Sequence, residues 1–286
     1  MSVTASRIEP APGAGLPGAP GRTGRWLHRI WDGLPAIVLF VAVIACWEFA
    51  VGQLGLRQFV LPRPSAIATA LVEHWTDPRY GLGPSARATL IEAMGGLAIG
   101  TTAGVVVAFA AARFVNTREV LLIIGVGAGA VPIIAFAPLL NSWFGLLNPL
   151  AKMAMAAVLV FFPVMVNVTR GLVEVEPASL ELMRSYAAGE GTVLRRVRIP
   201  NALPYFFTAL KLATTLSLIG AIVAEYFGGA SLVLGRVIVQ SASALAFDIT
   251  WAAIILCAAS GIAMYVAVVA IERLVIPWHA SVRGDT

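Results

Sequence analysis

The sequence predicts an all-α, polytopic membrane protein: six transmembrane helices with a loop of short cytoplasmic helices between the fourth and the fifth. Three observations carry this. Of 286 residues, 59% are hydrophobic and only 12% are charged, against about a quarter charged in a soluble domain, and the mean hydropathy is +0.86. Several nearly uncharged runs reach roughly 18 residues or more, enough to cross a hydrocarbon core of about 30 Å as a helix. The remaining charge gathers between the runs, above all in "ELMRSYAAGEGTVLRRVRIPNALP", Glu181 to Pro204.

Taken in order, residues 1–30 contain "PAPGAGLPGAPG", too rich in Pro, Gly and Ala to bury a core, and are expected to be a disordered tail. The apolar membrane domain is expected to span 31–280, and 281–286 to form a short C-terminal tail. The first span, Leu34 to Gly52, follows Arg22, Arg25 and Arg29; it starts too late and runs too long for a cleaved secretory signal. After it, Ile67, Leu71 and Trp75 share one helical face behind Pro64 and Ser65, which predicts a short surface helix. The second span, Ala88 to Ala112, carries Gly96, Gly100 and Gly104 at four-residue spacing, suited either to close helix packing or to lining a pathway. The third, Glu119 to Leu140, contains Pro132 and Pro138 and is not expected to be one straight helix; both prolines are candidate pathway residues. The last three spans are Pro149 to Gly171, Leu203 to Phe227 and Ile249 to Leu274.

Six spans put both termini on one side. With the termini in the cytoplasm, thirteen arginines lie inside, and only Arg57, Arg63, Arg79, Arg87 and Arg236 lie outside; the positive-inside rule therefore selects a multi-pass protein with both termini cytoplasmic. The net charge of +5 comes from these flanking residues and not from a basic patch interleaved with exposed aromatics, so no nucleic-acid partner is expected. Cys46 and Cys257 fall inside spans, and the three His are scattered; neither a disulfide framework nor a metal site is expected.

The loop at 172–202 reads as helix, break, helix. Ser179 is a plausible N-cap for a helix from Leu180 to Ala187, with Glu181 in its first turn, where a negative charge suits the dipole. "AAGEG" breaks that helix, and a second, from about Thr192, is expected to end at Pro200, with Pro200 and Pro204 turning the chain into the fifth span. Composition alone is satisfied by an ordinary loop whose arginines anchor a span.

The spacing adds a resemblance. Glu181, Leu182 and Met183, then Ala187, then Val197, Ile199 and Pro200, resemble the cytoplasmic motif of permease subunits of bacterial ATP-binding-cassette importers, whose usual form is Glu-Ala-Ala, three residues, Gly, nine residues, Ile, one residue, Leu-Pro. Leu182-Met183 replace Ala-Ala, Ala187 replaces Gly, Val197 replaces Ile and Ile199 replaces Leu. With Ala187 in place of glycine, Gly189 is a candidate to make the turn instead. "WEFAVGQLGLRQFVLPRPSAI", "FAPLLNSWFG" and "RIPNALPYFFTALKLATTLSLIGAIVAEYFGG" extend the likeness over Leu34 to Pro277 and are similar to the branch importing nitrate, sulfonates such as taurine, thiamine-pyrimidine precursors and riboflavin.

This resemblance implies a bacterial inner-membrane permease for a small nutrient that is not itself an enzyme. It implies a second permease chain, expected to be identical, two copies of an ATP-binding subunit carrying ATP and Mg²⁺, and an extracytoplasmic solute-binding protein. It also assigns contact with the ATP-binding subunit to Glu181, Leu182, Met183, Arg184, Tyr186, Ala187, Ala188, Gly189, Val197, Ile199 and Pro200. No cofactor is expected on this chain: Lys152 and Lys211, its only lysines, lack the glycine-rich context of a phosphate loop.

Charges inside spans are costly and are site candidates by default. Lys211, about 10 Å along the helix from Pro204, is expected to snorkel to the cytoplasmic interface; Glu48, Glu92 and Lys152 suit interfacial or interhelical structural roles. Glu225, beside Tyr226 at the outer end of the fifth span, is a candidate for the pathway, with a structural hydrogen-bonding role as its alternative. A secondary transporter driven by an ion gradient would call for paired ionisable groups near midspan and internal repeats. A membrane enzyme would call for a nucleophile with its base, or a metal cluster. Neither pattern stands out.

Overall fold

The protein is described by a computed structural model covering residues 22–53, 61–113, 123–125, 127, 132–229 and 232–277, with side chains of the first helix from Leu34 onward. The helices are α1 (Arg22–Gln53), α2 (Pro64–Glu73), α3 (Leu82–Arg113), α4 (Ala137–Phe144), α5 (Pro149–Val173), α6 (Pro177–Ser185), α7 (Glu190–Val193), α8 (Ile199–Phe227), α9 (Leu234–Ser243) and α10 (Phe247–Val275). Among the described residues there is no strand. Five of the helical stretches are long and apolar enough to cross a membrane, so the chain is an all-α multi-pass membrane protein. The expected span from Glu119 to Leu140 falls partly outside the described residues. Its described end is irregular, as its prolines suggested: a 3₁₀ turn at Ile133–Phe136 leads straight into α4.

Helices α3, α5 and α8 form the centre, and small residues make it. A methyl group added at Gly96 would lie 2.3 Å from the Ala156 Cβ, at Gly100 2.5 Å from the Ala157 carbonyl oxygen, and at Gly104 2.9 Å from that of Phe161. The four-residue glycine stripe of α3 is therefore the groove into which α5 packs. Gly220 of α8 also brings its backbone against Ala156, at 2.7 Å for an added Cβ. Lipid tails are as apolar as these side chains, so close backbone approach and dispersion hold the seam together.

The outlying helices are more loosely attached. Only 6% of the apolar window of α1 is buried, against 44% for α5 and for the stretch containing α8. The described part of α1 takes in nine residues, 22–30, of the expected tail. Its far end is tied to α2 by Glu48, whose carboxylate accepts from the Ser65 amide at 3.0 Å and the Ser65 hydroxyl at 2.7 Å. That carboxylate caps a helix start that has no side-chain cap of its own. As predicted, α2 is a short surface helix, with Ile67 and Ala70 buried against Tyr80, Leu82 and Ile249; Trp75 stays exposed. In the turn beyond it, Asp77 accepts from the Arg79 amide and faces the His74 ring, which together hold its carboxyl below the usual carboxylate range.

Candidate functional site: the 172–202 loop and the far end of its helix

The first short helix of the loop begins at Pro177, with Glu176 at the N-cap position and no side-chain cap. Pro177 takes the first helical position, where its missing N–H costs nothing. Ser179 is thus not the cap, and Glu181 sits in the second turn, one turn later than expected. No residue of α6 is buried, and Leu182 and Tyr186, one helical turn apart, are 55% and 75% exposed.

The helix ends in a Schellman motif. The Ala188 amide donates to the Met183 carbonyl at 3.0 Å and the Ala187 amide to that of Arg184 at 2.9 Å, with Ala187 in the left-handed region at φ 48°. Where the related motif has glycine, this alanine makes the turn itself, and Gly189, extended at φ −66°, does not replace it. The cost of a Cβ in that conformation is about 1–2 kcal/mol.

A second correction concerns the corner. Nothing ends at Pro200: helix runs from Glu190 to Phe227, 38 residues, or about 57 Å. Pro200 and Pro204 lack the N–H groups that the carbonyls of Arg196 and Pro200 would receive, and their rings crowd those carbonyls. The chain accommodates this by widening into one π turn over Leu194–Arg198, a known relief for an interrupted ladder. Sequence rules read prolines as a bend; here the one-turn bulge lies where the bond to Pro200 is lost, Pro204 sits inside regular α-helix, and the rod continues.

The base of the loop is clamped by a residue the sequence reading did not single out. Asn201 donates from Nδ2 to the carbonyls of Gly171 (2.8 Å) and Glu174 (3.0 Å), joining the entering strand of chain to the leaving one. An added Cβ at Gly171 would meet the Ala202 Cα at 2.7 Å, and Leu194 and Ile199 pack on the core formed by Leu172 and Ala202. Arg113 of α3 reaches Glu190 at 2.9 Å, both well exposed. The one sequence signal for the clamp was an amide side chain directly after Pro200. Farther along, Lys211 does not snorkel: its Nζ lies 3.0 and 2.9 Å from the two Glu272 oxygens of α10. Glu272 also escaped attention, because it sits three residues from the end of an otherwise apolar span.

At the far end of the same rod the polar groups are buried. Glu225 is fully buried and its Oε2 accepts from the Gly235 amide at 2.6 Å. The Thr89 hydroxyl of α3 accepts from the Leu234 amide at 2.9 Å. Together they cap the N-terminus of α9, where backbone N–H groups lack partners and a negative charge is favoured. Glu92 packs beside Glu225. Lys152 is 1% exposed and its Nζ bonds the Leu146 carbonyl, while Asn141 donates to the Ala224 carbonyl at 3.2 Å. The structural alternative for Glu225 is thus what this arrangement displays. Tyr226 next to it is 40% exposed, and two prolines are also exposed, Pro132 just before the 3₁₀ turn and Pro138 in the first turn of α4.

Comparison with known proteins decides what this arrangement belongs to. The sequence profile described as "Binding-protein-dependent transport system inner membrane component" matches residues 100–277, more than half of the chain. The chain belongs to that family. A probable ABC transporter permease of Haemophilus influenzae is 27% identical over 81% of this chain and 92% of its own length. The formylaminopyrimidine transport permease ThiX of Halalkalibacterium halodurans is 26% identical over 88% of this chain and 99% of its own. The riboflavin transport permease RibX of Chloroflexus aurantiacus is 27% identical over 90% and 95%. The chain is a permease subunit of a binding-protein-dependent ABC importer. The resemblance carried by "RIPNALPYFF" and its neighbours is sound, although the motif itself departs from the usual residues.

Proposed function

We propose that the 172–202 loop is the docking element for an ATP-binding subunit, and that the chain carries a small nutrient inward when that subunit closes on ATP and Mg²⁺. The observation that carries this reading is the combination of an exposed helix, α6, with a clamped base. Leu182 and Tyr186 present apolar surface on one side of a polar helix, where a partner can bury them, and Asn201 ensures that a push on α6 moves the start of α8 instead of only flexing the loop. Glu181, Met183, Arg184, Ala187, Ala188 and Gly189 complete the docking surface, and Val197, Ile199 and Pro200 carry it into the rod.

The importer on this reading has two copies of this chain, two ATP-binding subunits and an external binding protein, with the loop and both termini in the cytoplasm of a bacterial inner membrane. Residues 31–280 form the permease domain between a tail over 1–30 and one over 281–286. The pathway lies near Tyr226, Pro132 and Pro138, with Glu225 behind it. The substrate is of the nitrate, sulfonate or taurine kind, or of the pyrimidine or riboflavin kind; permeases named for both kinds are about equally similar to this chain. Reconstituted transport with each solute and its binding protein tests this directly.

The docking role is tested by co-purification. Tyr186→Ala with Leu182→Ala is expected to release the ATP-binding subunit while the chain remains in the membrane, with uptake falling at least tenfold. Truncating two central apolar contacts of an interface costs more than about 2 kcal/mol. Retained subunit and unchanged uptake would remove α6 from the interface.

A further inference from the structure

The rod that starts at the loop ends at Glu225, and what is fastened there has no role in the reading above. Helix α9 is a ten-residue amphipathic segment that buries Leu234 and Val237 and exposes Arg236 and Val239. Two side chains from different spans hold its N-terminus by main-chain amides: Thr89 takes the N–H of Leu234 and Glu225 that of Gly235. The fit leaves no slack. A Cβ on Gly235 would sit 2.7 Å from both the Ile222 carbonyl oxygen and the Glu225 Cβ. These groups are buried, where each bond is hard to replace and an unmet amide is costly. Beside them, Asn141 ties α4 to the same end of the rod through the Ala224 carbonyl, and Lys152 at the start of α5 holds the loop that precedes it through the Leu146 carbonyl.

We propose that Thr89 and Glu225 are positioning residues that fasten α9 to the far end of the Glu190–Phe227 rod, so that displacement of the loop by the ATP-binding subunit moves the outer surface formed by α9. The proposal rests on the docking role of the loop. Its mechanical content is that a continuous helix transmits displacement along its axis, the π turn being on the loop side of the clamp at Asn201. A helix attached only by side-chain packing could slip, whereas one whose first amides are held cannot do so without breaking both bonds.

The test is hydrogen exchange on the importer in nanodiscs, with its ATP-binding subunit, in the absence of nucleotide and trapped with MgATP and orthovanadate. In the wild type, peptides covering 180–198 and 233–240 are both expected to change protection on trapping. In Thr89→Val combined with Glu225→Ala, 233–240 is expected to exchange about fivefold faster or more, as the loss of buried amide bonds requires, and to ignore trapping, while 180–198 still responds. Glu225→Gln keeps an acceptor oxygen and is expected to keep the response, which a role for the charge alone would not allow. The proposal is overturned if 233–240 still responds to trapping in the double variant, or if Glu225→Gln loses the response as Ala does. It is also overturned if 180–198 responds in the wild type while 233–240 does not, a result that leaves the docking role intact. If 180–198 itself is indifferent to trapping, the docking role fails and this inference fails with it.

Discussion

The two ends of the 38-residue helix are built on opposite principles. At the loop end every polar group of α6 faces solvent, apolar side chains stand exposed, and the frame depends on one amide side chain and an exposed ion pair. At the far end a carboxylate, a lysine, an asparagine and a threonine are buried and engaged with main-chain groups of α9, of α8 and of the loop between α4 and α5. An end that must form and adjust a protein interface keeps its binding surface unspent, and one that must hold helices in register inside a membrane spends its polar groups internally. The contrast explains how one helix can take an input without unravelling: force arriving at a tolerant joint is borne by an intolerant one.

The largest lever on this contrast lies between the ends. Lys211 and Glu272 are the ion pair that keeps the loop half of α8 against α10. Lys211→Met leaves a nearly buried carboxylate without its partner, which typically costs about 3–5 kcal/mol. Thermal unfolding in detergent or nanodiscs should show a large loss, and Lys211→Met with Glu272→Leu should recover most of it, because replacing both charges removes the orphan. If the double variant is no better than the single, the pair acts through something other than mutual neutralisation.

A smaller effect is expected at the loop's base. Asn201→Ala leaves the Gly171 and Glu174 carbonyls without the Nδ2 donor, a loss of about 1–2 kcal/mol where those groups are partly screened from water. Limited proteolysis within 174–200 should accelerate while the far end, probed by exchange at 233–240, is unchanged. A uniform loosening of both ends would mean that the clamp serves the whole bundle and that the two ends are not separable.

These residues also show where sequence reading succeeds and stops. The spans at α1, α3, α5, α8 and α10 were legible because hydropathy over a membrane's width is a strong signal, and the glycine stripe of α3 because its four-residue period has one geometric meaning. The resemblance in the loop survived substitution of Ala-Ala and Gly since spacing was kept. What was not legible depended on partners distant in sequence. Asn201 pairs with carbonyls 27 and 30 positions away, and Lys211 with a carboxylate 61 away. The amides that Glu225 and Thr89 receive belong to the start of α9, whose own N-cap residue, Val233, supplies no side-chain cap. The proline rule failed for a different reason. It forecasts a break whenever an i→i−4 bond is lost, and it does not anticipate a π turn before Pro200 or a continuous helix through Pro204.

The smallest effect sharpens the comparison most finely, since the same strained helix end occurs twice. Ala187 closes α6 at φ 48° and Leu245 closes α9 at φ 58°, each inside a Schellman pair of main-chain bonds. Glycine at either position relieves about 1–2 kcal/mol of steric cost and returns roughly 0.4–1 kcal/mol in unfolded-chain entropy, a net gain of about 0.5–1 kcal/mol. Leu245→Gly should raise the midpoint of thermal unfolding by about 1–3 °C, because α9 is locked to the bundle and its relief reaches the global equilibrium. Ala187→Gly relieves the same strain in a helix with no buried residue, which can open locally without the bundle unfolding. Its gain should therefore appear as slower exchange of the Ala187 and Ala188 amides, with the unfolding midpoint nearly unchanged. Equal shifts in midpoint would show that the loop unfolds only with the spans, and that the tolerant end is more tightly joined to the rod than its exposure implies.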